Sequence, residues 1–168
     1  MAIIDKSSDY FNTVLYTGNG GTLNVTGVGF APNWVWLKRR DSTGNHYEFD
    51  TVRGATQRLL PNLTAADAAD SNTLSAFGSD GFTVKSEADI NASSGTFVSW
   101  NWKETADAGF DIVAYTGNGS NRTISHSCGA IPKMIIIKDR DADDNWNVYT
   151  APTGNDSHMH LNLTNAAS

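Results

Sequence analysis

Apolar positions along this chain come in short runs, cut every 8–15 residues by Gly, Asn, Asp or Pro. That spacing predicts strands over 12–17, 22–26, 33–39, 46–51, 57–60, 73–77, 82–86 and 96–103. Gly18-Asn19-Gly20-Gly21 predicts a tight hairpin between the first two, because Asn and Gly both tolerate positive φ. Asp41-Ser42-Thr43-Gly44-Asn45 predicts a second hairpin. Residues 64–69 read as one helical turn capped by Thr64. Eight antiparallel strands in about 100 residues make an all-β domain, an antiparallel β-sandwich or jelly roll.

Face patterns refine this. Trp34-Val35-Trp36-Leu37 is apolar at every position, as is Met134-Ile135-Ile136-Ile137, so each is expected mid-sheet with both faces covered. In 97–102, Val98, Trp100 and Trp102 share one face, and Phe97, Ser99 and Asn101 the other. One of those faces should be strongly buried.

The pattern also recurs. Phe11 to Gly20 reads FNTVLYTGNG and Phe110 to Gly119 reads FDIVAYTGNG, an offset of 99. After a one-residue shift, Pro32 matches Pro132, Lys38 matches Lys138, Asn45 matches Asn145, and Asn62-Leu63-Thr64 matches Asn162-Leu163-Thr164. A period near 100 is too long for a solenoid and reads as tandem copies of one domain. The expected organisation is an N-terminal arm (1–9), a first β-sandwich repeat (10–104) and a second, truncated repeat (105–168). Equivalents of residues 69–104, which carry the last three strands, are missing from the second copy. Either the chain is the ordered part of a longer protein, or another subunit supplies those strands.

Composition narrows the function classes. Ser, Thr and Asn number 15, 17 and 16, against three Glu and nine Leu, which argues against a helical bundle. The formal charge is −6, so no nucleic-acid partner and no polybasic attachment to a membrane is expected. Apolar runs are too short to span a bilayer. The single cysteine, Cys128, allows no intrachain disulfide and suggests assembly in a reducing cytoplasm.

Candidate chemistry is sparse. Trp34 and Trp36 align with Met134 and Ile136, which replace Trp as filler but not as a stacking platform, so both are expected in the core. Trp100 and Trp102 are read the same way. Trp146, aligned with His46 beside a turn, is the best candidate for an exposed contact. The ligand-binding candidates are therefore the turn residues Asn19, Asn45 and Asn118, together with Trp146. Asp139, Asp141 and Asp143 begin like a calcium loop, but Asp144 and Thr150 stand where that loop wants Gly and Glu. An acidic hairpin turn is the preferred reading. His158-Met159-His160 offers two imidazoles on one strand face, too few for structural zinc. Cys128 with His126 lacks an orienting third group and reads as a buried structural thiol. Glu48, Glu87 and Glu104 read as solvated surface. No phosphate loop, dinucleotide fingerprint or nucleophile elbow occurs, so neither an enzyme nor a cofactor is expected.

The segments YFNTVLYTGNG (10–20), GVGFAPNWVWLK (27–38) and SWNWK (99–103), with 115–119 and 131–138, resemble a tandem repeat of large virion and tail proteins of bacteriophages, particularly marine ones. That resemblance implies a concanavalin-like or laminin-G-like β-sandwich, a place on the virion and no known catalytic site. The implied partners are other virion proteins and further copies of the chain, a trimer by analogy. The first expectation is a tail-fibre or adhesin module contacting host-surface glycan, with weak sites multiplied by valency. The alternatives are head decoration or a tail or neck protein making subunit contacts only, in which 2–10 is an arm adding a strand to a neighbour. A polysaccharide depolymerase is the remote one.

Overall fold

The computed structural model describes residues 4–167. Of the expected N-terminal arm, residues 1–3 lie outside the described residues, and Ser7–Asp9 forms a single 3-10 turn. The strands are β1 (Phe11–Thr17), β2 (Leu23–Thr26), β3 (Trp34–Arg39), β4 (His46–Asp50), β5 (Gln57–Arg58) and β6 (Ala68–Ala69). They continue as β7 (Leu74–Gly78), β8 (Gly81–Val84), the short helix α1 (Ala88–Asn91) and β9 (Thr96–Trp102). Beyond them lie β10 (Met134–Ile137), β11 (Asn147–Thr150) and β12 (Met159–His160). The chain is mostly β, and every strand pair is antiparallel.

Four strands form one sheet in the order β1-β9-β3-β4, and three form another in the order β2-β8-β7. Alternation along β3 and β4 turns Val35, Leu37, Tyr47 and Phe49 inward. They share one buried cluster with Val25, Leu74, Phe82 and Val84 of the other sheet and with Ile90 of α1. Tyr16 packs against this core and donates its hydroxyl to Ile90 O at 2.7 Å. Along β9 the buried face is the one carrying Phe97, Ser99 and Asn101, all 0% exposed. Asn101 fits there because its amide donates to Asn12 O and Ser99 Oγ, both at 3.0 Å.

Three expectations change. The turn at 18–21 does not close a hairpin: β1 pairs with β9, and β2 with β8. Its backbone is bonded elsewhere, Gly18 N to Gly95 O and Gly20 N to Asn91 O, both at 2.8 Å. A Cβ on Gly18 would sit 2.3 Å from Ala92 O, so only Gly permits this approach. Residues 64–69 are not helical, because Ala68–Ala69 pairs with Gln57–Arg58. The third change is at β10, which lies at the edge of the sheet β10-β11-β12 and not in its middle. The hairpin at 41–45 forms as expected, joining β3 to β4.

The β10–β11 hairpin is built like the β3–β4 hairpin. Trp34↔Asp50 and Leu37↔Tyr47 pair across one, and Met134↔Thr150 and Ile137↔Asn147 across the other. Lys38 Nζ donates into its own turn to Arg39 O and Ser42 O, and Lys138 Nζ to Asp139 O and Ala142 O. Asn62 accepts from His46 N and donates to Asn45 Oδ1, while Asn162 accepts from Trp146 N and donates to Asn145 Oδ1. The stretch 111–133 between the two regions forms no strand.

Candidate functional site

Antiparallel pairing of β3 with β9 sets Trp34 opposite Trp102 and Trp36 opposite Trp100. Val35 and Leu37 occupy the core face, so all four indoles stand on the opposite, outer face of the sheet, half-buried. Trp34 and Trp102 lie 4.4 Å apart between ring centroids, and Trp36 meets Trp100 edge-on at 6.2 Å. Phe110 stacks on Trp34 at 5.7 Å, and Phe11 leans on Trp102 at 4.9 Å. Trp36 Nε1 donates to His46 Nδ1 at 2.9 Å. Burial, then the Lys38 charge, holds the His46 pKa below its ordinary value, which suits a neutral ring accepting at Nδ1. These tryptophans were expected in the core. Alternation with Val and Leu in one strand, and with Ser and Asn in the other, does not say which face is inner; the β3–β9 pairing and the core contacts of Val35 and Leu37 do.

Beside this face runs a chain of charges. Arg53 pairs with Asp50 through Nε at 2.5 Å and with Asp67 through Nη1 at 3.2 Å. Asp67 also receives Arg140 Nη2 at 2.8 Å. Ala66 N donates to Asp143 Oδ1, and Asp67 N to Arg140 O. Glu48, expected on the surface, is only 2% exposed, and its Oε1 has no hydrogen-bond partner among the described residues. Burial, with Asp50 adding to it and Arg53 opposing, pushes the Glu48 carboxyl up to about 8.

The four ligand-binding candidates stand apart. Asn19 is engaged by its own turn and by Asn91: its Oδ1 accepts from Gly21 N and Asn91 Nδ2, and its Nδ2 donates to Thr22 O. Asn45 Oδ1 accepts from Asn62. Asn118 is exposed and accepts from Ser120 N, at the rim of a shallow cleft with Tyr115, Arg122 and Ile137. Trp146 is 4% exposed and donates Nε1 to Leu63 O at 3.1 Å, so it is an internal contact and not a surface one.

The acidic turn holds its carboxylates for other purposes. Asp139 Oδ1 accepts from Asp141 N, and Asp143 caps Ala66 N. The Lys138 ammonium occupies the turn's carbonyls, where a cation would sit. Among the described residues no three His, Cys, Asp or Glu side chains are grouped to hold a metal. His158 and His160 face each other edge-on at 5.0 Å between rings.

A family model described as a domain of unknown function (DUF7483) matches residues 6–168. The chain belongs to this family. No curated protein and no solved structure matches it.

Two remaining clusters bear on chemistry. Glu104 and Asp111 meet at Ile112 N, which donates to a carboxylate oxygen of each. Burial and then Asp111 raise the Glu104 pKa, while Ser127 N and then Glu104 lower that of Asp111. Burial and then Asp111 push the Cys128 thiol up, the opposite of what a nucleophile needs. Glu87 is not free surface either, since it caps α1 by accepting from Asp89 N.

Proposed function

We propose that this chain is a non-enzymatic structural component of a tailed-phage virion, assembled in the host cytoplasm. Its favoured role is a tail-fibre or adhesin module contacting host-surface glycan. In this reading the two sheets over the Val35–Phe82 core make one β-sandwich repeat, and the β10–β12 region belongs to a second, partial copy. Support for the repeat comes from the matching registers and turn hydrogen bonds of the two hairpins.

One observation carries the glycan role: four half-buried indoles on one sheet face, flanked by Phe11 at 38% exposure. Indole faces stack on the C–H faces of sugars, and the neighbouring His46 supplies a polar edge. Glycan-array binding by the multimer tests this. Binding should occur, and should fall in the Trp36→Ala and Trp100→Ala variants. No hit on the array and no host-cell binding would sink the role. Immunogold microscopy of virions tests the placement, with label expected on distal tail appendages.

A second reading, decoration or neck assembly through subunit contacts only, is favoured by the exposed apolar side chains of 113–137. Label over the head or neck would select it.

A further inference from the structure

Residues that form the core of the first region have counterparts in the second that are bare. Val35 and Leu37 are 0% exposed, whereas Ile135 and Ile137, one hundred positions on, are 41% and 42% exposed. Tyr16 is packed on the core, but its counterpart Tyr115 is 49% exposed. The hairpins themselves are built alike, so the difference lies in what covers them.

The first region shows what the cover is. β3 is flanked by β4 on one side and by β9 on the other, while β10 is flanked by β11 alone. β1 pairs with β9 and with no other strand, and its counterpart 110–116 forms no strand. The inner faces of β3 and β4 lie against Leu74, Phe82 and Val84 of β7 and β8. Among the described residues after β9, nothing stands in these places. One segment type therefore accounts for the free edge, the strandless 110–116 and the bare isoleucines together.

We propose that the β10–β11–β12 sheet is a docking site for one polypeptide segment, an apolar hairpin followed by a β9-like strand. The segment carries the pattern of this chain's own 74–102. The docked strand runs antiparallel between β10 and 110–116, with its Asn101 equivalent opposite Ile135 and its Ser99 equivalent opposite Ile137, as β9 sits against β3. Main-chain hydrogen bonds along the free edge supply affinity, and the Leu, Phe and Val side chains of the hairpin cover the isoleucines. This occupant rests on the equivalence of the two regions, not on the virion role.

Two measurements test it, both by amide hydrogen exchange on the full 168-residue chain. In the first, residues 69–104 are appended after Ser168. In the second, the same segment, carried on a soluble protein, is added in trans. Both should slow exchange at 110–116 and 134–137 by about tenfold or more, as expected when open strands become paired. Ile137→Asp should abolish the effect while leaving exchange of β1 and β3 unchanged. Unchanged exchange with the appended segment would overturn the site. Protection that survives Ile137→Asp would also overturn it, as nonspecific adsorption. Protection by the appended but not the added segment would support the site and place its occupant in the same chain. A virion that carries no label leaves every one of these results standing.

Discussion

The two hairpins of this chain, β3–β4 and β10–β11, share register, turn and lysine plug, yet the Val35–Leu37 face of one is buried and the matching Ile135–Ile137 face of the other is open. Local sequence is sufficient for the hairpin, because its hydrogen bonds close over a few residues. Burial is a separate matter, supplied by β7, β8 and β9, which begin 24 or more positions after the hairpin ends. The comparison predicts that equivalent substitutions cost very different amounts. Leu37→Ala should cost about 2–5 kcal/mol, since it opens a cavity among fully buried neighbours. Ile137→Ala should stay within about 0.5 kcal/mol. Urea unfolding of both variants measures this, and equal losses would break the comparison.

The second contrast is between turns of the same sequence. Tyr-Thr-Gly-Asn-Gly occurs at 16–20 and 115–119. In the first, buried Asn91 holds the turn: its Nδ2 donates to Asn19 Oδ1, Gly21 O and Lys85 O, and its Oδ1 accepts from Asn19 N. In the second, Asn118 accepts a local bond from Ser120 N. Asn91→Ala leaves buried partners unsatisfied and should cost about 1–3 kcal/mol. It should also raise amide exchange at 19–21 toward that at 118–120. Unaltered exchange at 19–21 would mean that the turn holds itself.

Much of the β architecture was legible because strand and turn signals are local. The strands of the first region fall within a few residues of their expected places, and Asp41–Asn45 closes the hairpin it was expected to close. Pairing was not legible. Gly18–Gly21 looks like a hairpin turn, but its amides are claimed by Asn91 and Gly95, 70 or more positions downstream. The side-chain surroundings suffered similarly. Trp34 and Trp36 were read as core from their Met and Ile counterparts, and only the β3–β9 register sets them on the outer face. Trp146 was read as exposed from its place beside a turn, and only its bond to Leu63 O, across 83 positions, buries it.

The third contrast is chemical. Glu48 and Val148 occupy equivalent places, and both are buried. An unfolded Glu48 titrates near 4.5, but the folded one near 8. Between those values the folded chain keeps a proton that the unfolded chain releases, so this group's contribution to stability falls as pH rises. It is complete below 4.5 and lost above 8. One proton limits the slope to about 1.4 kcal/mol per pH unit. His46, whose pKa is lowered, acts in the opposite sense near neutrality, so the wild type must be compared with Glu48→Val. Unfolding free energies from pH 5 to 8 should converge at the acid end and diverge toward pH 8, with the variant the more stable. Parallel curves would mean that Glu48 ionises freely within the fold.

The smallest expected effect concerns the link between the regions. Arg140 reaches Asp67, while Arg40, its counterpart, forms no ion pair among the described residues. Asp67 is 7% exposed but retains Arg53, so removing Arg140 does not strand a buried charge. The Arg140 side chain is itself 45% exposed, where water screens the pair. Arg140→Ala should therefore cost about 0–1 kcal/mol and less at high salt, and Arg40→Ala nothing measurable. The backbone bond from Asp67 N to Arg140 O and the Trp146 indole on Leu63 O would remain to hold the regions together. A loss on the scale of Leu37→Ala would mean that the docked turn is part of the first core. The boundary between a closed region and an open one would then have to be moved past Arg140.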